Sequence, residues 1–226
     1  MPRIRVAYRQ NGAARFVSHL DVMRAFERAM RRAGLKLSYT QGFNPRPKLT
    51  FAAPLPVGMV GLREYVDIVL DEAASPFLVM SRLGRVMPKG LSVLNAREVP
   101  DESPNLMAVV HHARYLAKGF TNKKPDLAVI QESLQAFLAR REIYVERQTS
   151  KGVKRKDIRP GIRSINAAAE DRELRIGMEL KAGQEGNVRP YEVLTALQHL
   201  GPVQPDRFVI IRTALLSSNG RLVWEI

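Results

Sequence analysis

Three side chains near the front of the chain are of the types that can cleave RNA without a metal ion. His19, Tyr39 and Lys48 supply an imidazole, a phenol and an ammonium group. An imidazole can take the proton of a ribose 2′-hydroxyl, and a cation can stabilise the phosphorane that follows. A single histidine at the start of a helix is more often structural, so these residues are candidates for acid–base work only if the protein is an enzyme.

The segment at residues 19–33 indicates a different chemistry, the binding of anions. Its apolar residues recur at helical spacing, and four arginines fall on the opposite side. These arginines are Arg24, Arg28, Arg31 and Arg32. Glu27 is the only acid that the spacing places near enough to neutralise them. The stripe therefore favours contact with phosphates over an ordinary solvated helix face.

A loop rich in Gly and Pro follows, Gln41-Gly42-Phe43-Asn44-Pro45-Arg46-Pro47-Lys48. The two prolines restrict the backbone, so Arg46 and Lys48 would be presented in set positions. Phe43 has two interpretations of equal standing. Its ring can stack on an unpaired base, or it can anchor the loop in the core.

A second basic cluster lies at residues 147–163, where seven Lys and Arg face one acid. The candidate phosphate contacts here are Lys154, Arg155, Lys156, Arg159 and Arg163, with Arg189 at the predicted start of a later helix. A basic hairpin can close over an RNA backbone through salt-dependent contacts. The alternative is a solvated hairpin tip.

Composition narrows the classes of function. The net charge is +14, and residues 1–50 alone hold eleven basic residues and two acids. This concentration favours a polyanionic partner such as RNA. The absence of cysteine excludes disulfides, thiol nucleophiles and cysteine-ligated clusters, and no NTPase, hydrolase or dinucleotide motif is present. We expect no metal or other cofactor, no membrane span and no signal peptide, and hence a cytoplasmic protein.

The order of predicted elements is β-α-β-β-α-β, and it occurs twice. The first copy has strands at 3–9, 35–39 with 48–53, 64–70 and 91–99, and helices at 19–33 and 76–86. The second has strands at 107–116, 143–147 with 159–167, 174–180 and 208–216, and helices at 126–140 and 190–199. This pattern predicts an α+β protein of tandem ferredoxin-like units, 1–100 and 106–226, with antiparallel sheets and helices on one face.

Several motifs resemble the bacterial radical-SAM-linked protein family, a domain of unknown function. The motifs are Phe16-Val17-Ser18-His19-Leu20-Asp21, Arg28-Ala29-Met30-Arg31-Arg32-Ala33-Gly34, Tyr39-Thr40-Gln41-Gly42-Phe43-Asn44-Pro45-Arg46-Pro47, Asp157-Ile158-Arg159-Pro160 and Arg189-Pro190. The resemblance implies a radical-SAM protein as partner and carries no catalytic residues. A looser architectural likeness links the chain to RAMP-superfamily CRISPR endoribonucleases, whose glycine-rich C-terminal signature is missing here.

The sequence thus leads to three hypotheses. The first is an RNA-binding accessory protein that works with a radical-SAM enzyme in modification or maturation of ribosomal or transfer RNA. The second is a metal-independent endoribonuclease with His19 as general acid and base. The third is a docking adaptor that binds an acidic protein and no RNA. The sequence leaves the RNA, any sequence specificity, the modification and the oligomeric state open.

Overall fold

The fold is mixed α+β with mostly antiparallel strands. A computed structural model describes residues 1–149, 152–200 and 208–226. By its internal contacts the chain divides into a first unit, residues 1–111 with 212–226, and a second unit, residues 112–211. Within the described ranges, no helix combines the length and the apolar character needed to cross a bilayer.

The first unit follows the predicted element order closely. Its elements are β1 (Arg3–Gln10), α1 (His19–Arg32), β2 (Leu49–Phe51), β3 (Val60–Val69), α2 (Pro76–Val86), β4 (Leu91–Val99) and the short helix α3 (Leu106–Val109). β1 pairs antiparallel with β3 on one side and with β4 on the other, and β2 pairs antiparallel with β3. The last strand of the chain, β10 (Phe208–Leu216), lies next to β3 in the sheet. Its residues from Arg212 onward belong to this unit.

The core of the first unit forms where β1 meets α1. Alternate side chains of β1, Ile4, Val6 and Tyr8, are buried beneath the apolar face of α1. The ring of Phe26 meets the ring of Tyr8 edge-on, with centroids 4.9 Å apart. These contacts hold α1 against the sheet with its arginines on the opposite side.

On the other face of β1, whose charged residues predict a solvated face, Arg9 is exposed but Arg5 is buried. Arg5 is only 1% exposed and binds the Asp67 carboxylate through two nitrogens, at 2.8 and 3.2 Å. It also donates to the backbone carbonyl of Val223. Paired charge and satisfied hydrogen bonds are what allow an arginine to be buried.

The second unit contains β5 (His112–Phe120), α4 (Leu127–Ala139), β6 (Tyr144–Thr149), β7 (Gly152–Asp157), β8 (Ile162–Glu170), β9 (Glu173–Lys181) and α5 (Pro190–Leu200). β9 pairs antiparallel with β5 and with β8, and β10 lies next to β5 in the sheet. β6 and β7 form a separate antiparallel hairpin, which carries the second basic cluster.

Two local predictions were wrong. Residues 35–39 form no strand and make only isolated bridges, such as that of Leu37 with Leu70. Residues 107–116 are not one strand, because α3 occupies the first part and β5 begins only at His112. Asn105 caps α3 by accepting a hydrogen bond from the Met107 amide, at 2.9 Å. This local bond competes with the extended backbone that the apolar run predicts.

The first unit includes the C-terminal end of the chain. Residues 212–226 join the first unit. Arg212 is buried and binds the Glu64 carboxylate at 2.9 and 2.5 Å, so the end of β10 is tied to β3. A buried pair between residues so far apart in sequence leaves no periodic signal along the chain.

Candidate functional site

A cavity of about 770 Å³ lies in the first unit, between α1 and residues 40–50. Its lining residues are Leu20, Met23, Arg24 and Glu27 of α1, Thr40, Arg46, Pro47, Lys48, Leu49 and Thr50 of the loop and β2, Arg3, Asp67 and Val69 of β1 and β3, and Asn105 and Leu106 at the start of α3. The arginine helix and the proline loop, which the sequence presents as separate motifs, therefore meet around one space.

The wall formed by α1 follows from the amphipathic sequence of that helix. Ser18 caps its start by accepting a hydrogen bond from the Asp21 amide, at 3.2 Å. Apolar residues such as Phe26 and Met30 are fully buried, so the polar residues must lie on the outer side. Gly34 follows the helix with φ +65°, a backbone conformation that suits glycine and ends the run.

The loop that forms the opposite wall is closed at its base. The Thr40 amide donates to the Arg46 carbonyl at 2.9 Å, and the Arg46 amide donates to the Thr40 hydroxyl at 3.0 Å. The Lys48 amide donates to the Ser38 carbonyl at 2.8 Å. These bonds fix the backbone of both cations.

Phe43 lies at the exposed end of this loop. Its side chain is 106% exposed, so the ring anchors nothing in the core. Of the two interpretations of Phe43, this exposure therefore excludes the core anchor and leaves the ring available for stacking.

The arginine stripe is more neutralised than its spacing indicates. Arg24 pairs with Asp21 at 3.3 Å and Arg31 pairs with Glu27 at 2.5 Å. Arg32 donates to the carbonyl of Val86 at the end of α2. Each of these three arginines therefore already has a partner within the first unit.

Arg28, Arg46 and Lys48 differ from those three, because none has a carboxylate partner in the part of the chain that the structure describes. Both acids of the cavity wall, in contrast, are matched by an arginine: Glu27 by Arg31 and Asp67 by Arg5. The charge left uncompensated on the cavity wall, that of Arg46 and Lys48, is consequently positive, and Arg28 lies on α1 outside the lining.

The three candidate acid–base residues do not share this cavity. Lys48 lines it, whereas Tyr39 lines a neighbouring cavity of about 450 Å³ beside Arg31, and His19 lines neither. The His19 ring packs edge-on against Phe51, with centroids 5.1 Å apart. Burial, and secondarily the charge of Arg212, lowers the pKa of His19. Nor does any cluster of three metal-ligating side chains occur within the described ranges.

Most cations of the second basic cluster that the structure describes bind groups within the second unit. Arg147 binds the Glu192 carboxylate through two nitrogens, both at 2.7 Å. Arg159 donates to the carbonyls of Leu138 and Ile162. These guanidiniums hold the hairpin to α4, α5 and β8.

The remaining cations of this cluster are divided between structural and exposed positions. Lys156 donates to the Asn187 carbonyl at 2.8 Å, and Arg163 pairs with Glu179 at 3.0 Å. Arg155 lies over the Tyr144 ring, 3.9 Å from its centroid. Lys154 and Arg189 are exposed, while Lys151, of the same cluster, lies outside the described residues. The six predicted contacts of this unit therefore do not form one open surface.

The sequence patterns do not indicate the apolar part of the cavity. Leu20, Leu49 and Leu106 line it but appear in the sequence as ordinary apolar positions of a helix, a strand and a linker. A signal for the α3 contribution was present, because Asn105 directly precedes an apolar run and asparagine is a preferred N-cap.

Comparison with known proteins adds a family match. The model of a family described as "Uncharacterized protein conserved in bacteria (DUF2344)" matches residues 3–190. None of the curated proteins compared with the chain matches it.

Two solved structures are similar at low identity. One is a chain in a crystal structure of a Cbf5-Nop10-Gar1 complex, with TM-score 0.49, 12% identity, and coverage of 94% of this chain and 50% of that one. This chain thus spans about half the length of that chain. The other is an unknown protein from Galdieria sulphuraria, with TM-score 0.27, 14% identity, and coverage of 96% and 98%.

Proposed function

The chain belongs to the family of uncharacterized proteins conserved in bacteria (DUF2344), and we propose that it is an RNA-binding accessory protein whose first unit holds RNA at the cavity beside α1. One observation carries this proposal. The loop cations Arg46 and Lys48 line a cavity beside α1, have no acidic partner in the described part of the chain, and belong to a segment that the sequence marks for anion binding. A braced backbone lowers the entropy that the loop loses when its cations bind phosphate.

Charge and exposure support RNA over an uncharged ligand. The chain carries a net charge of +14, and Arg28, Arg46 and Lys48 lack acidic partners in the described part of the first unit. Phosphate contacts of this kind release counterions, so affinity falls steeply with salt. The fully exposed Phe43 ring adds a surface on which a base can stack.

The resemblance carried by the sequence motifs supports a proposal for the partner and the setting. We propose that the protein acts in the cytoplasm beside a radical-SAM enzyme that modifies or matures ribosomal or transfer RNA. The motif at residues 39–47, on which the resemblance to the radical-SAM-linked family rests, contributes Thr40, Arg46 and Pro47 to the cavity wall. The accessory protein would bind the RNA, while the chemistry would belong to its partner.

We also propose that each unit is a variant of the ferredoxin-like pattern. In the first, β4, β1, β3 and β2 follow one another as antiparallel neighbours around two helices. In the second, the neighbours are β10, β5, β9 and β8, and the basic hairpin is inserted after α4.

The test is a titration of labelled single-stranded RNA, followed by fluorescence anisotropy at about 50 mM and about 200 mM salt. The test variant replaces Arg28, Arg46 and Lys48 by Glu. We expect it to bind at least about tenfold more weakly than the unmodified protein at the lower salt concentration.

The matched control replaces Arg82, Arg85 and Lys89 by Glu. These exposed residues lie on or just after α2 and have no ion pair in the described part of the chain. The control changes the net charge equally and should retain most of the affinity. Equal losses of RNA affinity in the two variants would show that only net charge matters. No loss of affinity in the test variant would refute the proposal.

A further inference from the structure

We propose that the cavity beside α1 takes an unpaired nucleobase, so that its RNA ligand is single-stranded. This inference rests on the proposed function and specifies the class of RNA. Its starting observation is the apolar part of the lining, which phosphate binding alone does not require. The apolar residues with exposed surface are Leu20, Met23, Leu49 and Val69, whereas Leu106, also in the lining, is fully buried.

Apolar lining distinguishes the two forms of RNA. An A-form duplex presents phosphates, sugars and base edges to a protein, while the faces of its bases are stacked on one another. An unpaired base offers a flat face of low polarity, which gains free energy when it leaves water. Leu20 is 64% exposed on the cavity wall and would be covered by such a base.

The size of the cavity also suits a nucleotide. Pockets of about 300–1,000 Å³ hold small organic ligands and cofactors, and this one measures about 770 Å³. A cavity of this size accommodates a base with its ribose.

Polar groups on the cavity wall can contact the edges of the base. The Asn105 side chain accepts from the Met107 amide through Oδ1, and its NH2 group has no partner within the described ranges. Glu27 also faces the cavity, with Oε1 bound to Arg31. The wall thus offers a free donor, and a second carboxylate oxygen as acceptor for a base amino group.

The loop completes the arrangement for a single strand. Arg46 and Lys48 on the cavity wall can bind the flanking phosphates. Phe43 belongs to the same braced loop, and its exposed ring is suited to stack on a neighbouring base. Cations combined with an aromatic platform are typical of proteins that bind single-stranded nucleic acid.

The experiment compares single-stranded RNA with a duplex of the same sequence, using the full chain and the variants Leu20→Ser and Phe43→Ala. We expect each variant to lower the affinity for the single strand by about five- to tenfold and to leave duplex binding unchanged. The slope of affinity against salt should stay that of the unmodified protein, since neither variant removes a cation. A 2-aminopurine base in the single strand should change its fluorescence on binding.

Phe77→Ala is the control, because Phe77 is another exposed aromatic residue of the same unit, 73% exposed at the start of α2. It should bind single strands as the unmodified protein does. Phe43 has no burial to lose, so its variant tests the inference even if Leu20→Ser fails to fold.

The possible failures are distinguishable. Equal affinity for duplex and single strand, with both variants unaffected, would overturn the base pocket while the charge-reversal variant still shows RNA binding. If RNA binding does not depend on Arg28, Arg46 and Lys48, the proposed function itself is overturned. Binding of an acidic peptide in place of RNA would overturn both.

Discussion

The cavity surface of the first unit and the basic cluster of the second are both rich in Lys and Arg, but their cations have different surroundings. Beside the cavity, Arg46 and Lys48 have no acidic partner within the described ranges. In the second unit, Arg147 binds Glu192 and Arg159 binds backbone carbonyls. The first set is available to a ligand, whereas much of the second stabilises the fold.

This difference shows that local charge alone does not identify a binding surface. A guanidinium that already donates to a carboxylate must break that bond before it binds phosphate. Exposure, and the lack of a partner, must therefore accompany the charge. On this basis Lys154 and Arg189 are the strongest candidate contacts of the second unit, since both are exposed and neither has an ion pair in the described part of the chain.

The largest expected effect is on stability. Arg147 and Glu192 are only 16% and 11% exposed. Replacing Arg147 by Met would leave a mostly buried carboxylate without its partner, and we expect a loss of about 3 kcal/mol in the free energy of unfolding. Urea denaturation followed by far-UV circular dichroism measures this loss.

Arg28→Met is the matched control for this variant in the first unit. The Arg28 side chain is exposed and has no hydrogen bond or ion pair among the described residues, so its removal should change stability by less than about 0.5 kcal/mol. Similar losses in the two variants would contradict the division of cations between ligand and fold. Fluorescence of Trp224, the single tryptophan, reports on the first unit.

A smaller effect is expected on the salt dependence of RNA binding. Arg46→Gln should reduce the slope of log affinity against log salt by about 0.7, the value for one phosphate contact on a single strand. Arg163→Gln removes the same charge from the second unit, but Arg163 is paired with Glu179, so the slope should hardly change. A comparable reduction in both variants would show that the two regions bind phosphate equally.

The smallest expected effect concerns pH. His19 has a lowered pKa in the folded chain, because burial and the charge of Arg212 disfavour its protonated form. The unfolded chain takes up this proton first as pH falls below about 6.5. The free energy of unfolding should therefore decrease on acidification, and His19→Gln should make that decrease smaller. Urea denaturation at about pH 8 and about pH 5.5 measures the difference.

The same variant sharpens the distinction between binding and catalysis. His19 lies outside the cavity lining, so RNA affinity should have the same pH dependence with and without this substitution. RNA cleavage in EDTA that disappears in His19→Gln would instead support the ribonuclease hypothesis.

The elements that patterns and caps specify were predictable. The alternation of β1, the stripe of α1 and the Ser-Pro start of α2 depend on neighbours within a few residues, and all three elements occur as predicted. The apolar run at 107–116 predicts one strand, which is wrong because the Asn105 cap outweighs the pattern locally. Secondary structure at residues 107–116 was therefore not predictable from periodicity, because a single hydrogen bond competes with it.

By itself the sequence determined where charge is concentrated, which helix face is apolar and which loop the prolines restrict. The tertiary structure alone decided that Leu106 joins α1 at the cavity, that Phe43 is exposed and that Arg159 is used by the fold. The physical reason is the range of the interactions. Periodicity and caps act between near neighbours, whereas ion pairs and cavities depend on residues that only the folded chain brings together.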